Sequence, residues 1–176
     1  MKRDPHERVL AIDLRARRFG YVAFEKREFL EAGSRHYGRS TELLRKKLVR
    51  LLVLFAPGTV VLRTSPKRQR ERLISLGPAL KTVRSELRKR SIHLKCVDAR
   101  RVRNHFLPYG LRNKHDVAVV IAEHIPALQP FVPPERDFAE TEHHRETVFD
   151  AAAAGVWYLG TEMFGIRQEA QRTYLS

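Results

Sequence analysis

Residues 8 to 24 read RVLAIDLRARRFGYVAF, an apolar run that contains one carboxylate, Asp13, and is followed by an arginine-rich turn. A nearly continuous apolar segment such as VLAIDL is typical of a central strand that is buried on both faces. Two roles for Asp13 are open at this point. It is either a metal ligand or a strand-end carboxylate that accepts hydrogen bonds from nearby backbone.

The charge of the chain is strongly positive. Its 176 residues contain 34 Lys+Arg and 20 Asp+Glu, which gives a net charge of +14 and a pI near 10.6. Such a field favours polyanionic partners, with nucleic acid first and an anionic membrane second. Residues 63–114 hold 16 Lys+Arg and 3 Asp+Glu, whereas residues 135–150 hold 2 Lys+Arg and 6 Asp+Glu. This asymmetry suits a polyanion held near a cation site, and two solvated faces of opposite charge are the simpler alternative.

Several classes of protein are disfavoured by composition. No apolar run is long enough to span a bilayer, and the first ten residues, MKRDPHERVL, lack the apolar core of a signal peptide. A single cysteine, Cys96, excludes an internal disulfide and a multi-cysteine zinc site. Its strand-like surroundings predict a buried thiol. We expect a cytoplasmic protein that forms a single domain over residues 1–176.

Local patterns predict three strands and a helix in the first third of the chain. After the first strand, residues 20–37 (GYVAFEKREFLEAGSRHY) indicate two strands joined by a turn at EKRE. Ser40 is a candidate N-cap for a helix with one apolar face. That face comprises Leu44, Leu48, Leu51, Leu52 and Phe55. The helix ends at APG, and TVVLRT (59–64) follows as a fourth strand.

The remainder alternates helices with one more strand. Residues 67–91 form a basic helical pattern that we expect Gly77-Pro78 to interrupt, because proline removes a helical donor. Its core-facing positions are Leu73, Leu76, Leu80, Val83 and Leu87. A fifth strand (92–97), a helix capped by Asn113, a proline-rich loop (126–137) and an alanine-rich helix over about 146–163 complete the order. This order predicts an α/β fold, a five-stranded mixed sheet with three antiparallel and then two parallel strands, flanked by helices.

Two acids stand out by location. Asp13 lies in the first strand, and Asp150 lies near the start of the closing helix. Carboxylate oxygens suit Mg²⁺ or Mn²⁺, and two such ions can activate water and stabilise the leaving oxygen in phosphodiester hydrolysis. For Asp150, a solvated first-turn carboxylate favoured by the helix dipole is the alternative.

One segment, VDARRVRNHFLPYGLRNKHDVAVVI (97–121), carries a resemblance to a known family. It resembles the Holliday-junction resolvases of the RuvC type, in the ribonuclease H-like superfamily, which have a fifth strand, a helix with a Val-Lys-like pair, a glycine turn, a lysine and an apolar helix. Val102-Arg103, Gly110, Lys114 and Val117 occupy the matching places. LGPAL (76–80) also resembles the family's Leu-Gly-x-Ala, and the similarity extends from AIDLRARRFGYVAF (11–24) to FDAAAAGVWYLG (149–160).

The resemblance implies an RNase H-like fold, a homodimer and, if the chain is an active enzyme, a Mg²⁺-dependent endonuclease that nicks four-way DNA junctions in recombination and repair. Asp13 matches the family's first-strand metal ligand. Asp150 matches the acid that begins the closing helix's Asp-Ala run, and Lys114 matches the lysine after the glycine turn. We therefore count Lys114 with the acids as a candidate catalytic residue.

Two positions depart from the family pattern. Arg63 stands where the family has a glutamate at the end of the fourth strand, and Thr147 stands where it usually has an acid or histidine. Arg63 would place a positive charge beside the metals. Glu146, one helical turn before Asp150, is a candidate surrogate ligand, with His143 second. A site of Asp13, Glu146 and Asp150 could hold one metal ion.

The predicted contacts to nucleic acid are basic side chains near this site. They are Arg15, Arg17, Arg18, Arg63, Arg103, Arg112 and Lys114.

Three other interpretations remain. A catalytically degenerate RNase H-like protein that binds nucleic acid without cleaving it explains Arg63 with fewer assumptions. An actin-like ATPase is disfavoured, because DLRARRFG replaces the phosphate-cradling glycines with arginines and the chain is too short for two lobes. A basic structural protein of a ribonucleoprotein would make the acids incidental.

Overall fold

A five-stranded sheet forms the centre of the computed structural model, which describes residues 8–64, 69–133 and 145–167. The strands are β1 (Arg8–Leu14), β2 (Arg18–Glu25), β3 (Glu28–His36), β4 (Thr59–Thr64) and β5 (His93–Asp98). Their spatial order is β3-β2-β1-β4-β5. The pairs β1–β2 and β2–β3 are antiparallel, and β1–β4 and β4–β5 are parallel. The predicted mixed sheet is confirmed, with β1 at its centre.

Helices cover both faces of the sheet. They are α1 (Thr41–Phe55), α2 (Gln69–Lys89), α3 (Ala99–Phe106), α4 (Lys114–His124) and α5 (Glu146–Leu159). Three short 3₁₀ segments, Leu107–Tyr109, Pro126–Phe131 and Thr161–Phe164, connect or follow them. The predicted caps are confirmed, because the Ser40 side chain accepts from the Leu43 amide and Asn113 forms a capping box with Asp116.

The alternation of side chains along β1 divides the core into two layers. Leu10 and Ile12 pack with the apolar faces of α1 and α2. Val9 and Ala11 pack with α3, α4 and α5 on the opposite face. Asp13 follows Ala11 by two residues, so its side chain also points toward the α5 side of the sheet. In the described part of the chain, we find no helix with the length and apolar content that crossing a membrane requires.

Two predictions about α2 and β5 are wrong. The helix α2 continues through Pro78 and is not interrupted there. Its C-terminal half buries Val83 and Leu87 against the sheet, and this packing outweighs the backbone hydrogen bond that proline removes. Cys96 is exposed, because β5 lies at the edge of the sheet, where the helices leave most of its side chains uncovered and only Val97 is buried. The side chain of Leu73 lies outside the described part of the structure.

The closing helix α5 approaches the sheet closely because small residues line the contact. A Cβ on Gly155 would lie 2.6 Å from the Phe24 ring and 3.2 Å from the Ala11 Cβ. A Cβ on Gly20 would lie 2.1 Å from the Thr147 carbonyl oxygen. The start of α5 is therefore fixed directly over β2. The helix ends at Leu159, whereas the predicted end was Met163. It stops there because Gly160 adopts a positive φ of 97°.

We expect Gly20→Ala to destabilise the fold, because the added methyl overlaps the backbone of α5 and the helix must move. Overpacking of this kind costs more than about 2 kcal/mol in the free energy of unfolding. Gly77→Ala is the control, since an added Cβ there meets nothing within 4 Å. Because Gly77 lies within α2, where alanine is favoured over glycine, this substitution should leave the free energy of unfolding unchanged or raise it by up to about 1 kcal/mol, as measured by denaturant unfolding. Equal effects of the two substitutions would contradict the close approach.

Candidate functional site

Asp13 and Arg63 lie side by side at the carboxyl ends of two parallel strands. They are register partners in the β1–β4 pair, so both side chains point to the α5 face. Both residues are buried, with 3% of Asp13 and 7% of Arg63 exposed. Arg63 Nη1 donates to Asp13 Oδ1 at 2.7 Å. A buried charge is tolerated only when it is paired, and each of these residues is the partner of the other.

Asp150 reaches the same point from α5, the helix on that face. Arg63 Nη1 lies 3.2 Å from Asp150 Oδ2, so one guanidinium contacts both carboxylates. The close approach of α5 to the sheet at Gly20 and Gly155 makes this contact possible. Asp13 and Asp150 therefore lie close enough to share a cation, and the cation they share is an arginine side chain.

Arg15 provides a second bridge between the same two acids. Its Nε donates to Asp13 Oδ2 at 2.8 Å, and its Nη2 donates to Asp150 Oδ2 at 2.5 Å. The backbone of Arg15 begins the turn after β1, where its amide donates to the Arg18 carbonyl at 2.9 Å. The side chain thus bends back onto the sheet instead of extending into solvent.

Lys114 lies at the outer edge of the site. It is the first residue of α4, whose start is fixed by the capping box at Asn113. Its Nζ lies 3.2 Å from Asp150 Oδ2 and 3.9 Å from Glu146 Oε2. The Lys114 side chain is 55% exposed, whereas Asp150 and Glu146 are buried. Lys114 is therefore a solvent-facing cation that pairs with the two acids of α5.

Burial and neighbouring charges act in opposite directions on the pKa values of the buried groups. Burial alone would raise the pKa of Asp150, but the charges of Arg63, Lys114 and Arg15 hold that pKa below its usual value. Burial likewise opposes the charge on Arg63, yet Asp150 and Asp13 raise its pKa above the ordinary value. Both groups are charged at neutral pH.

The carboxylate oxygens of this site do not fit the divalent metal ion that the resemblance implies. Mg²⁺ needs several oxygen ligands at about 2.0–2.1 Å in octahedral geometry. Both oxygens of Asp13 accept from guanidinium groups, and Asp150 Oδ2 contacts three cations. Within residues 8–64, 69–133 and 145–167, no three His, Cys, Asp or Glu side chains converge on a metal position. The trio of Asp13, Glu146 and Asp150 does not form a ready metal site.

The other candidate ligands do not complete a metal site in the described residues. Thr147, at the position of an expected acid, is buried, and its Oγ1 lies 3.5 Å from the Ser34 hydroxyl on β3. Glu146 is buried beside Lys114. His143 lies outside the described residues.

The predicted nucleic-acid contacts separate into two groups. Arg17, Arg103 and Arg112 are exposed, and Arg18 is half-buried. The Arg63 guanidinium is buried and engaged by Asp13 and Asp150, so its contact with nucleic acid stays a prediction.

Sequence reasoning missed the inward direction of Arg15. A signal was present, because residues two apart on a strand share a face and Arg15 follows Asp13 by two. No local pattern indicates that Asp150, 135 residues later, accepts the second hydrogen bond from Arg15.

Comparison with solved structures identifies the fold. The RuvC structure from Thermus thermophilus aligns with a TM-score of 0.63 and 15% identity, over 92% of this chain and 98% of that one. T. thermophilus RuvC in complex with a Holliday junction substrate aligns with a TM-score of 0.62 and 16% identity, over 87% and 94%. No protein-family model matches the chain, and no curated protein is similar to it in sequence. The chain therefore has the RuvC-type, RNase H-like fold.

We expect Arg63→Met to destabilise the protein severely, because it leaves Asp13 and Asp150 with less compensation in a buried site. Removing one partner of a buried ion pair costs about 3–5 kcal/mol in the free energy of unfolding. Urea denaturation at pH 7 measures this loss.

Arg45→Met is the matched control. Arg45 pairs with Glu42 on the exposed surface of α1 at 2.8 Å, where water screens both charges. Its loss should change the urea midpoint very little. If Arg63→Met were equally mild, the buried ion pairs would not hold α5 to the sheet as described.

Proposed function

We propose that the protein binds branched double-stranded DNA and does not cleave it by a metal-dependent route. The observation that carries this proposal is the double bridge of Arg15 and Arg63 across Asp13 and Asp150. Two-metal hydrolysis requires carboxylate oxygens that are free to hold cations. Here the arginines already neutralise those oxygens, and an arginine does not lose its proton at neutral pH.

The case for a nucleic-acid ligand rests on charge and on the shape of the fold. The net charge of +14 favours a polyanion, and exposed cations such as Arg103, Arg112 and Lys114 follow one another along the α3–α4 region. A solved protein of this fold is in complex with a Holliday junction substrate. Phosphate contacts by Lys and Arg need no metal, so binding can persist where cleavage does not.

The proposal includes a homodimer. A four-way junction has approximate two-fold symmetry, and a C₂ dimer presents the same basic surface to both halves of it. Size-exclusion chromatography with light scattering distinguishes monomer from dimer with and without the junction.

A metal-dependent junction endonuclease is the second candidate function. It is favoured by the meeting of Asp13 and Asp150 on one face, with Lys114 beside them. This function would require Mg²⁺ or Mn²⁺ to displace both guanidinium groups and recruit Glu146.

The test measures binding and cleavage in the same reactions with a fluorescent four-way junction. Anisotropy should show tight binding that weakens steeply with salt, because each neutralised phosphate releases counterion. Denaturing gels should show an intact junction in Mg²⁺ and in Mn²⁺. Metal-dependent nicking that disappears on Asp13→Asn would support the second candidate instead, and preference for an RNA duplex would support a ribonucleoprotein role.

Lys114→Ala should weaken binding and lower the slope of log affinity against log salt by about 1, since one phosphate contact is lost. Lys46→Ala is its control, because Lys46 is an exposed lysine of α1 on the other face of the sheet. Equal losses for the two variants would show that Lys114 does not contact the ligand.

A further inference from the structure

A cavity of about 420 Å³ lies between β3 and α1, on the face of the sheet that does not carry the acids. Arg35 of β3 is the register partner of Phe19, which packs in the core layer of α1, so both side chains point to that face. Asp13 and Asp150 meet on the opposite face. We call this space the α1 cavity. It is lined by Arg35, Lys47, Arg50, Leu51 and Leu54.

Tyr21 fixes the position of Arg35. Arg35 Nη2 donates to the Tyr21 hydroxyl at 2.8 Å, and the guanidinium carbon lies 5.1 Å from the centre of the Tyr21 ring. The hydroxyl in turn donates to Glu31 Oε1 at 2.5 Å. Burial and the hydrogen bond to Glu31 raise the pKa of Tyr21, so the ring is uncharged at neutral pH. Arg35 is therefore held by a neutral group, which leaves its positive charge in place.

Lys47 is held by a neutral group as well, because its Nζ donates to the His36 carbonyl oxygen at 2.5 Å. Arg50 follows Lys47 by three residues, so the two lie side by side on α1. Within residues 8–64, 69–133 and 145–167, Lys47 and Arg50 form no ion pair, and Arg35 pairs with Glu31 alone, at 3.8 Å. The α1 cavity therefore carries more positive charge than the neighbouring acid offsets.

The rest of the lining is apolar. Leu51 is 4% exposed and belongs to the core, whereas Leu54 is 62% exposed. Cavities that bind small molecules measure about 300–1,000 Å³ and combine apolar walls with a few polar groups that fix the orientation of the ligand. An inorganic anion would contact the cations and leave the leucines uncovered. The lining therefore fits an anion that carries an apolar body.

We propose that the α1 cavity binds a nucleoside phosphate. The phosphate contacts Arg35, Lys47 and Arg50, because arginine donates paired hydrogen bonds to phosphate oxygens and lysine adds a point charge. The sugar or the base packs against Leu51 and Leu54. This inference does not rest on the proposed function, which concerns the opposite face of the sheet. A free nucleotide and an unpaired nucleotide of a DNA strand share this chemistry, and the experiment separates them.

The experiment is isothermal titration calorimetry of the full chain with deoxyadenosine monophosphate, deoxyadenosine and inorganic phosphate. The wild type should bind the nucleotide at least about ten-fold more tightly than either of its two parts, since only the nucleotide uses both the cations and the leucines. Equal affinities for the nucleotide and for inorganic phosphate, or no binding of the nucleotide, would overturn the inference.

Three variants of α1 locate the binding. Arg50→Gln should weaken binding of both the nucleotide and inorganic phosphate by at least about ten-fold, because a hydrogen bond to a charged group is lost. Leu54→Ser should weaken binding of the nucleotide and leave that of inorganic phosphate unchanged. Lys46→Gln is the matched control, since it removes one charge from α1 outside the lining of the cavity, and its effect should stay within about two-fold. Equal losses in Arg50→Gln and Lys46→Gln would overturn the inference.

A competition experiment separates the two sources of the nucleotide. If a single-stranded oligothymidylate displaces bound deoxyadenosine monophosphate, the α1 cavity accepts a nucleotide of a DNA strand. If the oligothymidylate leaves the mononucleotide bound, the cavity accepts the free nucleotide. Both results support the inference. Binding of anionic phospholipid vesicles that is lost on Leu54→Ser, with no binding of the mononucleotide, would overturn it in favour of a membrane surface.

A second measurement needs no variant and keeps the test decisive if a substitution disturbs the fold. The methyl resonances of Leu51 and Leu54 in the wild type should shift when deoxyadenosine monophosphate is added. Those of Leu43, which is exposed near the start of α1 and lies outside the lining, should not shift. Unchanged resonances of Leu51 and Leu54 at saturating nucleotide would overturn the inference.

Discussion

The ion pair between Arg63 on β4 and Asp13 on β1 is the contact on which the site depends. It lies at the centre of the sheet, where parallel neighbours bring the ends of both strands to the same edge. Asp150 adds α5 to this pair, and Arg15 closes the group from the turn after β1. Strand, turn and helix are thereby joined through charged side chains, at the edge where the carboxyl ends of β1 and β4 meet.

Stability alone does not explain why such a group is retained. Taking charges out of water is costly, and well-packed apolar residues of similar volume often serve the fold as well as a buried ion pair does. The group also borders a solvent-exposed lysine and a basic surface. In the proposed function, the DNA backbone approaches the protein at this edge, and the internal cations make a bound metal unnecessary for that contact.

Much of the fold follows from local signals in the sequence. The apolar run of β1, the turn at Lys26, and the caps at Ser40 and Asn113 are decided within a few residues, and the structure confirms them. Pro78 and Cys96 were mispredicted because tertiary packing and the edge position of β5 decide their surroundings. Local rules do not contain that information.

The site was predictable only in part. The meeting of Asp13 and Asp150 could be expected from the family resemblance, and Arg63 was a visible departure from it. The spacing of two between Asp13 and Arg15 indicated the direction of the Arg15 side chain, but its contact with Asp150 could not be predicted. That contact depends on Asp150, which is distant in sequence and reaches Arg15 because Gly20 and Gly155 let α5 lie close to the sheet.

The most direct test of the arginine-filled site is a crystal structure of the protein soaked in Mn²⁺, with data collected for anomalous scattering. We expect no anomalous peak between Asp13 and Asp150, with the guanidinium groups of Arg15 and Arg63 in contact with both carboxylates. A Mn²⁺ peak bonded to those carboxylates, with the arginine side chains displaced, would contradict this account.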